Sequence, residues 1–159
     1  MICLEGKKNP VFKNHFNEGD PTTKFPSLSK LELKSLPKLI QIYDGHLEFP
    51  SLKSLMIAKC PVLTTGFADP HELNEIVFDS YDNLVCVISS ETLKELNNLK
   101  KLVVSHCKEL KIIFNIHQQI SCSTHLLQQL CELTLFDLPK LTSVVNKDIS
   151  RFYQNLKLL

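Results

Sequence analysis

Five stretches of this 159-residue chain superimpose so that an apolar side chain falls at positions one, four, six, nine and twelve of each. They are Leu28-Leu31-Leu33-Leu36-Leu39, Leu52-Leu55-Ile57-Cys60-Leu63, Leu73-Ile76-Phe78-Tyr81-Leu84, Leu99-Leu102-Val104-Cys107-Leu110 and Leu130-Leu133-Leu135-Leu138-Leu141. All twenty-five positions are apolar, where a composition that is 43% apolar would place about eleven there by chance. A period of this kind restricts the fold. One unit is too small to cover its own apolar face, so successive units must stack and cover one another.

In the middle of each unit, inward leucines alternate with outward residues at the period of a β-strand. In the first unit Leu31 and Leu33 point in, while Lys30, Glu32 and Lys34 point to solvent. The first leucines are offset by 24, 21, 26, 31 and 26 residues, ending at Leu156, which with Leu159 opens a sixth, unfinished unit. Spacing and period together are those of a leucine-rich repeat. The expected fold is an α/β leucine-rich-repeat solenoid, curved and right-handed. It has a parallel concave sheet, one short strand per repeat, and mostly irregular convex returns with few short helices.

Pro37, Pro61 and Pro139 follow the ninth position, and Phe25-Pro26-Ser27-Leu28 recurs as Phe49-Pro50-Ser51-Leu52, so the strand ladder stops before these prolines or begins after them. The convex side offers a helix over Glu91–Asn97 capped by Ser90, and a short turn through Thr124 to Gln129. Residues 25–159 form the repeat domain. Residues 1–24 read as a loose lead-in, or as the remnant of a preceding repeat whose strand is missing. The ninth position carries Leu36, Cys60, Tyr81, Cys107 and Leu138 in place of the usual asparagine. The turning backbone must therefore find other partners, which predicts a looser solenoid.

The outward residues make three columns across the strands. The first is Lys30, Ser54, Glu75, Lys101 and Glu132; the second is Glu32, Met56, Val77, Val103 and Thr134; the third is Lys34, Ala58, Asp79, Ser105 and Phe136. Met56, Val77 and Val103 side by side on a face otherwise meant for water can mark a protein contact. The competing explanation is that Val and Thr simply suit strands. The candidate partner-binding residues are Glu32, Met56, Val77, Val103, Thr134, Lys34, Asp79 and Phe136.

Other chemistries find little support. The net charge of +1, from 18 basic and 17 acidic residues, supplies no field for nucleic acid or a membrane surface. No apolar run is long enough to span a bilayer, and the start lacks the pattern of a secretory leader, so a cytoplasmic location is expected. The six cysteines are read as reduced thiols, with Cys60 and Cys107 in a core slot. His117, Cys122, His125 and Cys131 gather in one insertion but match no paired-ligand zinc spacing. His46, His71 and His106 lie near Asp44, Glu72 and Glu109 without a nucleophile signature. The four glycines are too far apart for a phosphate-cradling loop. The expectation is a non-enzymatic chain with no cofactor, no metal and no small-molecule substrate.

The Cys-Pro and Leu-Pro endings of the motif, the Phe-Pro-Ser-Leu openings and the stretch Leu99-Lys100-Lys101-Leu102-Val103-Val104-Ser105-His106-Cys107-Lys108-Glu109-Leu110 carry a resemblance. From Phe25 to Leu159 the chain resembles the C-terminal repeats of plant nucleotide-binding leucine-rich-repeat disease-resistance proteins of the coiled-coil type. That resemblance implies a protein-recognition module in defence, whose partner is a pathogen effector, a guarded host protein or other domains of a parent receptor. The alternatives are a structural or autoregulatory segment packing on its own parent chain, and a repeat-type substrate adaptor.

Overall fold

The computed structural model describes residues 1–5, 22–39, 46–63, 71–116, 127–146 and 157–158. Among them are twelve strands: β1 (Ile2–Glu5), β2 (Thr22–Lys24), β3 (Lys30–Lys34), β4 (His46–Glu48), β5 (Ser54–Ala58), β6 (Glu75–Asp79), β7 (Cys86–Ser89), β8 (Lys101–Ser105), β9 (Ile112–Asn115), β10 (Glu132–Phe136), β11 (Ser143–Val145) and β12 (Lys157–Leu158). One helix, α1 (Ser90–Glu95), lies between β7 and β8.

The repeat strands form one parallel seven-stranded sheet in the order β1-β3-β5-β6-β8-β10-β12. The register is the one the period requires. Leu31 lies across from Leu55, Leu55 from Ile76, Ile76 from Leu102 and Leu102 from Leu133. These five are at most 1% exposed, and Leu33, Ile57, Phe78 and Val104 make a second buried row beside them. With Leu28, Leu52, Leu73, Leu99 and Leu130 they belong to one continuous core.

Two features of the ends differ from the reading of the sequence. The first 24 residues contribute β1, whose Ile2 and Leu4 lie across from Leu31 and Leu33. Ile2-Cys3-Leu4-Glu5 has the alternation a strand needs but is too short to register as a repeat. At the other end Leu158, and not Leu159, takes the place across from Leu133. The double leucine leaves the two phases nearly equivalent by hydrophobicity, and only the pairing distinguishes them.

The convex returns contain more strand than expected. β7, β9 and β11 follow the motif in units three, four and five and pair in parallel as a second sheet. Their β-branched residues, Val87, Ile88, Ile113 and Val145, back onto the common core. β2 and β4, just ahead of the two Phe-Pro-Ser-Leu segments, make a third parallel pair. Phe25 and Phe49 stack there at 5.6 Å between ring centroids. The helix starts one residue earlier than expected, because Ser89 rather than Ser90 accepts from the Thr92 amide. Ser90 is buried and donates to the carbonyl of Asn115. Of the expected turn over Thr124 to Gln129, residues 124–126 lie outside the described residues, and a turn occupies 127–129.

The backbone at the end of each strand finds its partners without an asparagine ladder. The residue at position eight is left-handed in all five units: Ser35, Lys59, Ser80, His106 and Asp137 have φ between 50° and 55°. In the first four, its amide donates to the last strand carbonyl of the next unit, as Ser35 to Ala58 at 2.9 Å and His106 to Phe136 at 3.0 Å. The carbonyl at position nine then accepts from position twelve, as in Leu39 to Leu36 and Leu141 to Leu138. The expected looseness at this corner is thus met by one repeated backbone arrangement.

Truncating the central row should be costly and truncating the exposed face should not. Leu102→Ala is expected to lose about 2–5 kcal/mol of stability, whereas Phe136→Ala on the open face should lose no more than roughly 0.5 kcal/mol. Urea unfolding midpoints of the two variants, compared with the parent chain, check both values.

Candidate functional site

The outward columns stand as the register sets them. Lys30, Ser54, Glu75, Lys101 and Glu132 align; so do Glu32, Met56, Val77, Val103 and Thr134; so do Lys34, Ala58, Asp79, Ser105 and Phe136. All eight candidate residues therefore share one face of one sheet. Their environments are not alike.

Glu32 was expected to point freely into solvent, and it is instead buried. Lys30 Nζ lies 2.7 Å from one carboxylate oxygen and Lys34 Nζ 2.6 Å from the other. The hydrogen bonds from Lys30 and then Lys34 hold this carboxyl at about 2, and Lys34 is pushed up in return by Glu32. Two long side chains on the same strand reach over the shorter one between them, and β1 closes its other flank. The first unit therefore presents paired charges already satisfied within the chain.

Met56, Val77 and Val103 are half-buried and adjacent, with Thr134 completing the row. Each apolar side chain shelters part of its neighbour, and each keeps some surface open to solvent. On one side Lys101 lies between Glu132 at 3.0 Å and Glu75 at 3.8 Å, and the hydrogen bond it donates to Glu132 raises its pKa. Ser54 donates to Glu75.

On the other side Asp79 gathers three donors. His106 Nδ1 and Ser105 Oγ each lie 2.8 Å from Oδ1, and Ser80 Oγ lies 3.2 Å from Oδ2. Partial burial works to raise this carboxyl, but the three hydrogen bonds and the nearby imidazole together outweigh it and hold Asp79 below the usual aspartate value. An ionised carboxylate only accepts, so the imidazole proton between them resides on Nδ1. The ring of His106 also meets Phe136 edge to face at 5.3 Å. Phe136 is 62% exposed, the most open large apolar side chain on this face.

The sequence set His106 beside Glu109, whereas in the structure its partner is Asp79. Glu109 instead holds Lys140 of the next unit, with both oxygens 2.7 Å from Nζ. Residues three apart in sequence are separated by the left-handed corner, and residues 27 apart are brought together by stacking. His71 faces the carbonyl of Glu95. The side chain of His46 lies outside the described residues, as do His117, Cys122 and His125.

The Ser105-Asp79-His106 cluster does not have the order of a hydrolytic triad, because the serine bonds the carboxylate and not the imidazole. The five cysteines among the described residues are free thiols. Burial pushes Cys60, Cys86 and Cys107 up, away from the thiolate form that reacts. Among the described residues no three metal-ligating side chains converge, and no helix is long and apolar enough to cross a membrane. What the face offers chemically is shape, an apolar strip and charge.

A family model described as plant disease resistance protein RPS2-like, leucine-rich repeats, matches residues 68–159. The disease resistance protein RGA2 of Solanum bulbocastanum is 33% identical to this chain over 98 residues, which are 60% of the chain and 10% of that protein. The chain thus spans about a tenth of the length of this curated relative. No solved structure matches.

The charged clamp in the first unit has a pH signature. A carboxyl depressed in the folded chain adds stability above its unfolded value, and that stability is lost as pH falls through the folded value. For Glu32 the window runs from 4.5 down to about 2. A carbon-detected NMR titration should place the Glu32 midpoint near the lower figure. The Lys30→Met/Lys34→Met variant should bring it back up.

Proposed function

Because the chain belongs to the leucine-rich repeats of RPS2-like plant disease resistance proteins, we propose that its concave sheet is a protein-recognition surface acting in plant defence. The observation that carries this reading is the Met56-Val77-Val103 strip. It is in register across three strands, half-buried and framed by charged columns, the apolar-centre and polar-rim arrangement of a protein contact. Lys34, Thr134, Asp79 and Phe136 extend the contact zone. Glu32 is better suited to fixing Lys30 and Lys34 in place than to meeting a partner directly.

In this reading the chain is not an enzyme and works in the cytoplasm as part of a longer receptor. Residues 25–159 are the repeat domain, and residues 1–24 carry the remnant of a preceding repeat. The partner is a pathogen-derived protein, a host protein under surveillance, or another domain of the same receptor. The left-handed corners and inter-unit ion pairs support the reading by holding the face in one shape, which lowers the ordering cost of binding.

The test is a Val77→Glu/Val103→Glu double variant. Both positions face outward, so the thermal unfolding transition should stay close to that of the parent. Co-purification from infected and uninfected plant tissue should lose the proteins retained by the parent chain. Equal retention by parent and variant would overturn the proposal, and retention only of receptor domains would favour self-packing over recognition of a foreign protein.

A further inference from the structure

The chain as a whole carries a net charge of +1, yet its open face does not share that balance. Across β5, β6, β8 and β10 the outward ionisable residues are Glu75, Asp79 and Glu132 against Lys101 alone. The single ammonium is divided between two carboxylates, at 3.0 Å and 3.8 Å. At the corner positions that follow these strands the ionisable residues are Lys59, His106 and Asp137, and His106 already faces Asp79. Within the four strands three carboxylates stand against one ammonium. In the first unit, by contrast, Lys30 and Lys34 flank Glu32.

The surplus surrounds apolar surface. Met56, Val77 and Val103 run down the middle, Glu75 and Glu132 stand on one side of them, and Asp79 and the exposed Phe136 on the other. Asp79 and Phe136 lie in the same row two strands apart, about 10 Å at the roughly 4.8 Å spacing of paired strands. The His106 ring lies between them, so a cation seated on the exposed Phe136 ring would gain from the ring's negative face and from the summed field of the carboxylates at longer range. An anionic partner would meet the net negative charge of these strands, and a purely apolar one would bury carboxylates whose partners within the chain are themselves shared.

From this complementarity we infer that the face takes a basic, apolar protein segment. Its aliphatic side chains lie on Met56, Val77 and Val103, and a lysine or arginine lies over Phe136. The inference rests on the recognition reading of the same face and adds the chemistry of the partner.

Random peptides displayed on phage and panned against the full 159-residue chain at low salt provide the test. Enriched peptides are expected to pair aliphatic residues with lysine or arginine and to be released as salt is raised. Phe136→Ala should weaken such a peptide roughly two- to thirtyfold, the order of one cation–aromatic contact. Glu75→Gln/Glu132→Gln should also weaken it, and Lys101→Gln should tighten it, opposite signs that a general loss of fold would not produce. Circular dichroism confirms that each variant is folded. Enrichment of acidic or uncharged peptides, or binding indifferent to these charges, overturns the basic-partner inference and leaves the recognition reading in place. Failure to enrich any peptide removes both.

Discussion

The inward row Leu31, Leu55, Ile76, Leu102 and Leu133 is the constraint on which everything else in this molecule depends. Each of these side chains is covered mainly by the equivalent residues of neighbouring units, so no unit is stable by itself and all must share one register. Parallel pairing then forces a return path outside the sheet. Only the motif has to keep its phase. The returns are free to vary, which is why successive units differ by up to ten residues without disturbing the strands.

Stacking in parallel creates a second demand, because each strand must turn sharply at the same place and leave no buried amide unpaired. The chain meets it with a left-handed residue at position eight of every unit, a conformation that costs roughly 1–2 kcal/mol for residues with a side chain. The inter-unit amide bonds from four of these corners offset that cost. Cys60 and Cys107 fill the next position, their thiols donating weakly to strand carbonyls. On the far side Asn146 plays the part an asparagine plays elsewhere. It accepts from the Ile116 amide and donates to the side chain of Asn115, tying unit five to unit four.

The same stacking builds the open face. Side chains 21 to 31 residues apart become neighbours, so charge and apolarity are sorted into columns. Lys101 is clasped by the units on either side of it, and Lys108 and Lys140 each reach back one unit to Asp82 and Glu109. These exposed pairs contribute little stability individually. The Lys101 pairs fix side-chain positions beside the apolar strip, and the Lys108 and Lys140 pairs tie successive returns together.

The leucine period was legible in the sequence and determined the fold class, the buried rows and the membership of the three outward columns. Hydrophobic spacing is a local property, and a strand's two faces follow from its alternation alone. Other features were settled only in three dimensions. They include the strand at Ile2–Glu5, the phase of Leu158, the convex sheet of β7, β9 and β11, the burial of Glu32 and the Asp79-His106-Phe136 cluster. In the sequence Ser35, Lys59, Ser80, His106 and Asp137 carry no glycine-like mark of a left-handed corner, and Asp79 stands 27 residues from its imidazole. Which outward groups meet depends on the length of each return and the angle of each corner, and these are set by packing between units and not by the residues nearest in the chain.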